Sequence, residues 1–378
     1  MQNNKLRMAI RATAAVAAFG MATQASAIEL SAGGYDANLY GFARAVATYD
    51  IDENLAQGGQ SANLGAITTD GSDTADGHFG IDANTSRIGL SVVSPEDVKV
   101  VLEMDFDNDD TLKPRLRHAY GEYNNVLIGQ YWSNYNSFVG NTSSLDFDGV
   151  PGLAGTQGRA GQIRYTTGPV SFSLENPDND VADGTTKSST PALTAKLEDS
   201  AGGFSYSAAA MVKQTSYDDA ATGGGDDSAI SYAAFVAGKV AITDMISIQG
   251  AINYGEGAGG YVWRSGGNYG LEDGYVDNGD LETFESMGGA LGVSMNLGSG
   301  SSVNAGYGMA TVDLDDAVDA GVMASDTQDT NSMAFVNYQW TPVNKVKMGV
   351  EYAYVETETQ AGDSGDANRL MFLAQYSF

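Results

Sequence analysis

The side chains best suited to chemistry in this sequence are arginines. The stretch "RLRHAYGEY" sets Arg115 and Arg117 two residues apart, in a chain with 48 acidic and only 19 basic side chains. A guanidinium is always charged and presents five N–H donors in a planar fork. Two of them side by side therefore bind and orient carboxylates or similar anions; they do not make or break bonds. Further along, "SLDFDGVPG" places Asp146 and Asp148 beside a Gly and Pro turn. Acids on a loop that faces arginines on a wall set up a transverse field, and arginines lining a pore favour anions. The competing reading leaves Asp146 and Asp148 as caps of an ordinary solvated loop.

Bond-making chemistry has little to work with. There are two histidines, His78 in a long connection and His118 on an alternating segment, and neither has a Ser–Asp partner nearby in sequence. Without a base, an enzyme is not expected. The absence of cysteine excludes thiol chemistry. "DFDNDD" at 105–110 resembles a calcium loop, but its sixth position is not Gly and its twelfth is Leu116 instead of Glu, so the spacing fails and a solvated loop is expected. No metal or cofactor is implied. A net charge of −29 excludes nucleic acid as a partner, because that partner calls for a basic footprint.

The elements that must position the arginines read as β-strands. In the final segment, "NRLMFLAQYSF", Leu370, Phe372, Ala374, Tyr376 and Phe378 share one face. Sixteen such strands begin near Asn38, Thr85, Val98, Arg115, Val126, Ala160, Val170, Pro191, Phe204, Ala229, Met245, Ser286, Ser302, Asn331, Lys345 and Asn368. Every second connection is short, such as Asn124-Asn125, Gly168-Pro169 and "TPVN" at 341–344. The connections between those are long and rich in Asp and Gly: 51–83, 133–159, 255–285 and 312–330. Tight turns at one rim and long loops at the other describe an all-β, sixteen-stranded transmembrane antiparallel barrel with periplasmic turns and extracellular loops. A soluble sandwich would not need that alternation. Tyr49, Tyr123, Tyr131, Tyr254, Trp340 and Tyr354 sit at strand ends, where interface girdles form.

Export is expected as well. Lys5, Arg7 and Arg11 precede the apolar stretch Ala12 to Ala22, and Ala25-Ser26-Ala27 supplies a small-x-small cleavage site, so residues 1–27 read as a signal peptide. Its removal takes the formal charge from −29 to −32. Residues 28–378 are then expected as a single barrel domain in the outer membrane, in contact with its lipid.

Alternation assigns the faces. An arginine facing lipid costs about 2–4 kcal/mol near the midplane. Leu116, His118 and Tyr120 are therefore expected outside, and Arg115 and Arg117 inside. The same parity turns Arg87 and Arg164 inward; Arg44 shares its face with Tyr40 and Phe42, and Arg369 lies on the last strand, which closes on the first. One arc of the lumen is expected to be arginine-rich, with 133–159 folded in as a constriction that carries Asp146 and Asp148.

"RLRHAYGEY", "LIGQYW", "LDFDG" and "QIRYT", with weaker support from "LYGFARA" at 39–45, resemble the DcaP-type porins of Gram-negative outer membranes. The resemblance is densest over residues 115–165. It implies a trimeric sixteen-stranded channel for small negatively charged solutes such as dicarboxylates, with an inward third loop and a basic lumen, and it carries over most securely to Arg115, Arg117 and Arg164. Members of that family carry a coiled coil before the barrel. Here only about ten residues separate Ile28 from the first strand, without heptads, so trimerisation is expected through the barrel wall. The function expected is passive diffusion of small hydrophilic, preferably anionic solutes. The alternative is an adhesive barrel with an occluded lumen whose loops bind partners.

Overall fold

The computed structural model describes residues 28–378 apart from 31, 56–58, 73, 107–112, 221–223 and 266–270. The expected signal peptide lies outside the described residues, as does most of the acidic run at 105–110. Among the described residues, sixteen antiparallel strands close into one barrel. The first half comprises β1 (Asp36–Asp50), β2 (in two pieces, His78–Asp82 and Arg87–Val93), β3 (Lys99–Asp105), β4 (Arg115–Tyr123), β5 (Val126–Trp132), β6 (Arg159–Thr167), β7 (Val170–Glu175) and β8 (Ala192–Ala201). The second half comprises β9 (Phe204–Asp218), β10 (Asp226–Ala241), β11 (Ile246–Glu256), β12 (Glu285–Gly298), β13 (Ser301–Val312), β14 (Gln328–Val343), β15 (Val346–Thr359) and β16 (Ser364–Ser377). β16 pairs with β1 from Phe42–Ser377 to Asp50–Arg369 and closes the ring.

The barrel follows from an inverted pattern of polarity. Ile230, Ile252 and Leu291 are 67%, 64% and 63% exposed, while the neighbours Asn253 and Gln249 are buried against the interior. With hydrocarbon as the outer solvent, apolar residues face out and every strand edge must be paired, which closure achieves. The short connections are built for tight reversal: Asn124 and Asn125 hold φ of 48° and 70°, the left-handed pair that a two-residue hairpin needs and Asn tolerates.

The long connections carry structure that alternation did not reveal. His78–Asp82 extends β2 into what reads as loop, pairing with Val46 to Asp50. Val181–Ala182, Gly274–Asp277 and Asp280–Thr283 form a small three-stranded sheet outside the barrel. Tyr275 and Phe284 from this region pack with Leu314 and Ala317, next to the short helix Asp315–Asp319.

The third long connection, 133–158, runs along the interior wall. Its Tyr135, Val139 and Ala154 pack on small and apolar inward residues of β9 to β11, including Ala209, Ala233, Phe235 and Ala251. Gly152 has φ of 76°, and a Cβ there would fall 2.4 Å from the backbone of Gly289. Only glycine allows backbone to approach backbone this closely.

Candidate functional site

The site begins with a slip in register. Along β3 and β4, Asp105 pairs with Arg115 and Met104 with Leu116, but Glu103 pairs with His118. Arg117 is thus the extra residue of a β-bulge, which re-aims side chains and shifts parity by one. Leu116 stays outside at 49% exposed, whereas Arg117 and His118 are both buried. This corrects the expected outward face of His118 and Tyr120. His118 lies 3.7 Å from Glu103 and packs at a tilt against Tyr131 and edge-on against Trp132, with ring centroids 4.9 and 5.7 Å away. Tyr120 and Tyr131 pack together inside, and Tyr131 lies under Arg164, so Tyr131 is not a girdle residue.

The bulge gathers guanidiniums on two carboxylates. Arg115 donates Nε and Nη2 to the two oxygens of Asp105, each at 2.9 Å. Arg117 donates Nε to Glu103 at 3.1 Å and Nη1 to Asp105 at 2.7 Å. Arg87 reaches Glu103 at 3.3 Å, and Tyr40 donates its hydroxyl to the other Glu103 oxygen at 3.1 Å. A fourth cation, Arg159, lies over the Trp132 ring at 5.1 Å, with Arg117 also 5.6 Å from that ring. Four guanidiniums against two carboxylates leave this wall with an excess of positive charge. Fork-to-carboxylate bonds hold the guanidinium planes fixed.

This wall faces a cavity of about 910 Å³, lined by Arg87, Arg115, Arg117 and Arg159 on one side and by Asp146, Phe147 and Asp148 of the third loop on the other. Asp146 accepts from the backbone N–H groups of Ala62, Asp148 and Gly149. Burial raises its carboxyl above the usual aspartate range, against the pull of Arg264. Asp148 lies 4.0 Å from Arg264, which also donates to the carbonyls of Gly149 and Ala62. The loop acids are thus drawn toward Arg264, and the wall arginines toward Glu103 and Asp105.

The tip of the loop is clamped. Glu351 on β15, 3% exposed, accepts from the N–H of Leu145 at 2.7 Å and of Asp146 at 3.2 Å, and from Ser144 Oγ at 3.2 Å. On the opposite side, Arg44 donates Nη2 to the Leu145 carbonyl at 2.8 Å. The Leu145 side chain packs with Val46, Met371 and Leu373. Asn253, Asn337 and Gln339 hold the carbonyls of Gly152, Leu153 and Ser143. A family model described as the DcaP outer membrane protein matches residues 2–378.

The chain belongs to the DcaP family.

The chain is similar to the outer membrane channel DcaP of Acinetobacter baumannii, at 28% identity and a TM-score of 0.79, covering 92% of this chain and 99% of that one. The anion-selective porin from Comamonas acidovorans shares the fold at 12% identity and a TM-score of 0.56, over 91% of this chain and 100% of that one. OmpT of Vibrio cholerae shares it at 13% and 0.57, over 93% and 100%. No curated protein sequence matches. This DcaP-family chain is an integral outer-membrane barrel of a channel family, and its relatives are porins and not enzymes.

Within the DcaP-family barrel, Arg87, Arg115, Arg117, Asp146 and Asp148 line the cavity, and Arg44, Arg164 and Arg369 do not. Arg44 serves the loop clamp. Arg164 donates to Gln162 and to the Trp132 carbonyl. Arg369 is fully buried, with Nε and Nη2 on Asp50, and it ties the closing seam to the first long connection through the Leu55 carbonyl. The expected arc is therefore shorter: an ion pair withdraws Arg369 from the solute space, and hydrogen bonds to backbone carbonyls and Gln162 withdraw Arg44 and Arg164. Sequence reasoning missed Glu103, Asp105, Arg159, Trp132 and Phe147 as site residues. The alternation of Glu103 and Asp105 along β3 was an available signal; Asp105 was instead read with the acidic run after it.

Proposed function

We propose that this protein is a passive diffusion channel whose constriction favours small anions, dicarboxylates among them. The observation that carries this reading is the arginine excess beside the cavity. Arg87, Arg115 and Arg117 share Glu103 and Asp105, and Arg159 stands on Trp132 without an ion pair among the described residues. Fixed donors at a narrow point replace part of the hydration shell of a passing carboxylate, and the site requires no cofactor. The barrel over 28–378 acts as one domain, with the loop at 133–159 setting the size limit. A homotrimer packed through the barrel walls is the assembly that fits this reading. OmpT of Vibrio cholerae is described in a trimer form.

A second reading has one observation in its favour. The long connections that follow β7, β11 and β13 pack into a cap with their own small sheet and apolar cluster, a surface suited to binding partners over an occluded lumen. Conductance separates the two. In a planar bilayer the channel gives stable current steps, with a reversal potential on the anion side across a salt gradient; no current at all would favour the occluded barrel. Arg115→Ala with Arg117→Ala leaves Glu103 and Asp105 unbalanced and is expected to move the reversal potential to the cation side.

A further inference from the structure

Arg264 is a fully buried arginine on the long connection after β11, away from the arginine wall. Its neighbours are buried with it: Ala258, Val262 and Ser265 are completely covered and Tyr261 is 3% exposed. Residues 258–265 therefore run inside the barrel, and they are fastened at both ends. At one end the Tyr261 ring lies 5.0 Å from the Lys213 ammonium of β9 and edge-on to Tyr135 of the third loop. Its hydroxyl accepts from the Asp178 N–H at 3.1 Å. At the other end Arg264 donates Nη1 to the Gly149 carbonyl at 2.9 Å and Nη2 to the Ala62 carbonyl at 3.0 Å, with Asp148 4.0 Å away.

These anchors stand on opposite walls. Ala62 belongs to the first long connection, which Arg369 of β16 holds at the Leu55 carbonyl, and β9 lies half-way round the ring from β16 and β1. The segment thus crosses the lumen on the long-connection side. Between its anchors Trp263 lines the arginine cavity, and the Trp263 carbonyl accepts from the Gly152 N–H at 3.2 Å. Arg264 itself holds φ of 56°, in the left-handed region that residues with side chains rarely adopt. Such a conformation persists only where the surroundings over-determine it. An apolar side chain would fill the space without burying a charge. A guanidinium fork does something more: it joins two carbonyls of two other connections to its own.

We propose that residues 258–265 form a second constriction, a strap over the long-connection side of the arginine cavity, which limits the size of the solute that enters. Trp263 is the residue that meets the solute, and Arg264 is the positioning residue that holds the strap across. The strap screens by size, and the wall arginines by charge. The inference rests on the diffusion reading for a solute to screen, but its test needs no current.

The chain has no cysteine, so one can be placed in the cavity as a probe. Ser61→Cys, on the cavity lining beside Ala62, is labelled in the detergent-folded full chain with a small methanethiosulfonate and with a maleimide carried on a polyethylene glycol chain. With the strap intact, the small reagent is expected to react and the large one to be excluded. Arg264→Lys keeps the charge near Asp148 but cannot span both carbonyls. It should raise the rate with the large reagent about tenfold, the loss of one charge-assisted hydrogen bond, and leave the small reagent's rate unchanged. Trp263→Ala, which keeps both anchors, should admit the large reagent as well. The heat-dependent mobility shift of a folded barrel on gels serves as the folding control for each variant. Equal rates for the two reagents with the strap intact, or a ratio that neither variant moves, would overturn the proposal. Labelling by the small reagent only after the strap is altered would support the strap and count instead against the diffusion reading.

Discussion

At the scale of single residues, buried charges decide both the site and the stability of its frame. Arg369 holds Asp50 through two guanidinium nitrogens, and both side chains are completely buried. Such a pair adds little over an apolar one, but breaking it leaves a lone buried carboxylate, at a cost of about 3–5 kcal/mol. Arg369→Ala is therefore expected to lower the urea midpoint of unfolding markedly without moving the reversal potential of the channel that remains. Asp273, in the connection between β11 and β12, makes a pH-dependent contribution. Burial raises it to about 6, against the pull of Lys213. In the unfolded chain it ionises in the ordinary aspartate range, so the folded form holds its proton more tightly. Its contribution is greatest below that range and is lost as pH rises through about 6. Comparing urea midpoints at about pH 4.5 and about pH 7.5 should show this decline in the wild type, and Asp273→Asn should flatten it.

Among the elements, the third loop and the bulge in β4 shape the cavity. The loop is held by Glu351 and Arg44 gripping opposite sides of Leu145, and by wall amides further along. Hydrogen bonds to a charged group contribute about 1.5–3 kcal/mol each. Glu351→Ala removes several at once, so single-channel conductance is expected to rise and grow noisier; an unchanged trace would mean that the amides alone hold the loop. Glu351→Gln keeps one acceptor oxygen and should fall between. Strand existence and turn alternation were legible in the sequence, because period-two polarity and loop length are local signals. The bulge was not: nothing in "RLRHAYGEY" marks Arg117 as the extra residue, since the slip is set by Glu103 and Met104 on the neighbouring strand. The same holds for the clamp, where Leu145 and Glu351 are 206 residues apart. Arg44 and Arg369 carry the same charge as Arg115, and only three-dimensional pairing shows that they serve the frame.

For the whole molecule, two fields oppose one another. The chain has a formal charge of −29, and the long connections are acidic, so a distant anion is repelled while one at the constriction meets an arginine excess. Screening separates the two, because the Debye length falls from about 10 Å at 0.1 M to about 3 Å at 1 M. The long-range repulsion fades first, and contacts at the wall persist. Anion preference is therefore expected to be stronger at high salt than at low salt, as read from permeability ratios over that range. The most direct test of the account is the reversal potential of the refolded wild-type protein in a planar bilayer, across a salt gradient, beside the Arg115→Ala, Arg117→Ala double variant. The account predicts an anion-side potential for the wild type and a shift to the cation side for the variant. A wild-type potential on the cation side, or one that the variant leaves unmoved, would contradict it.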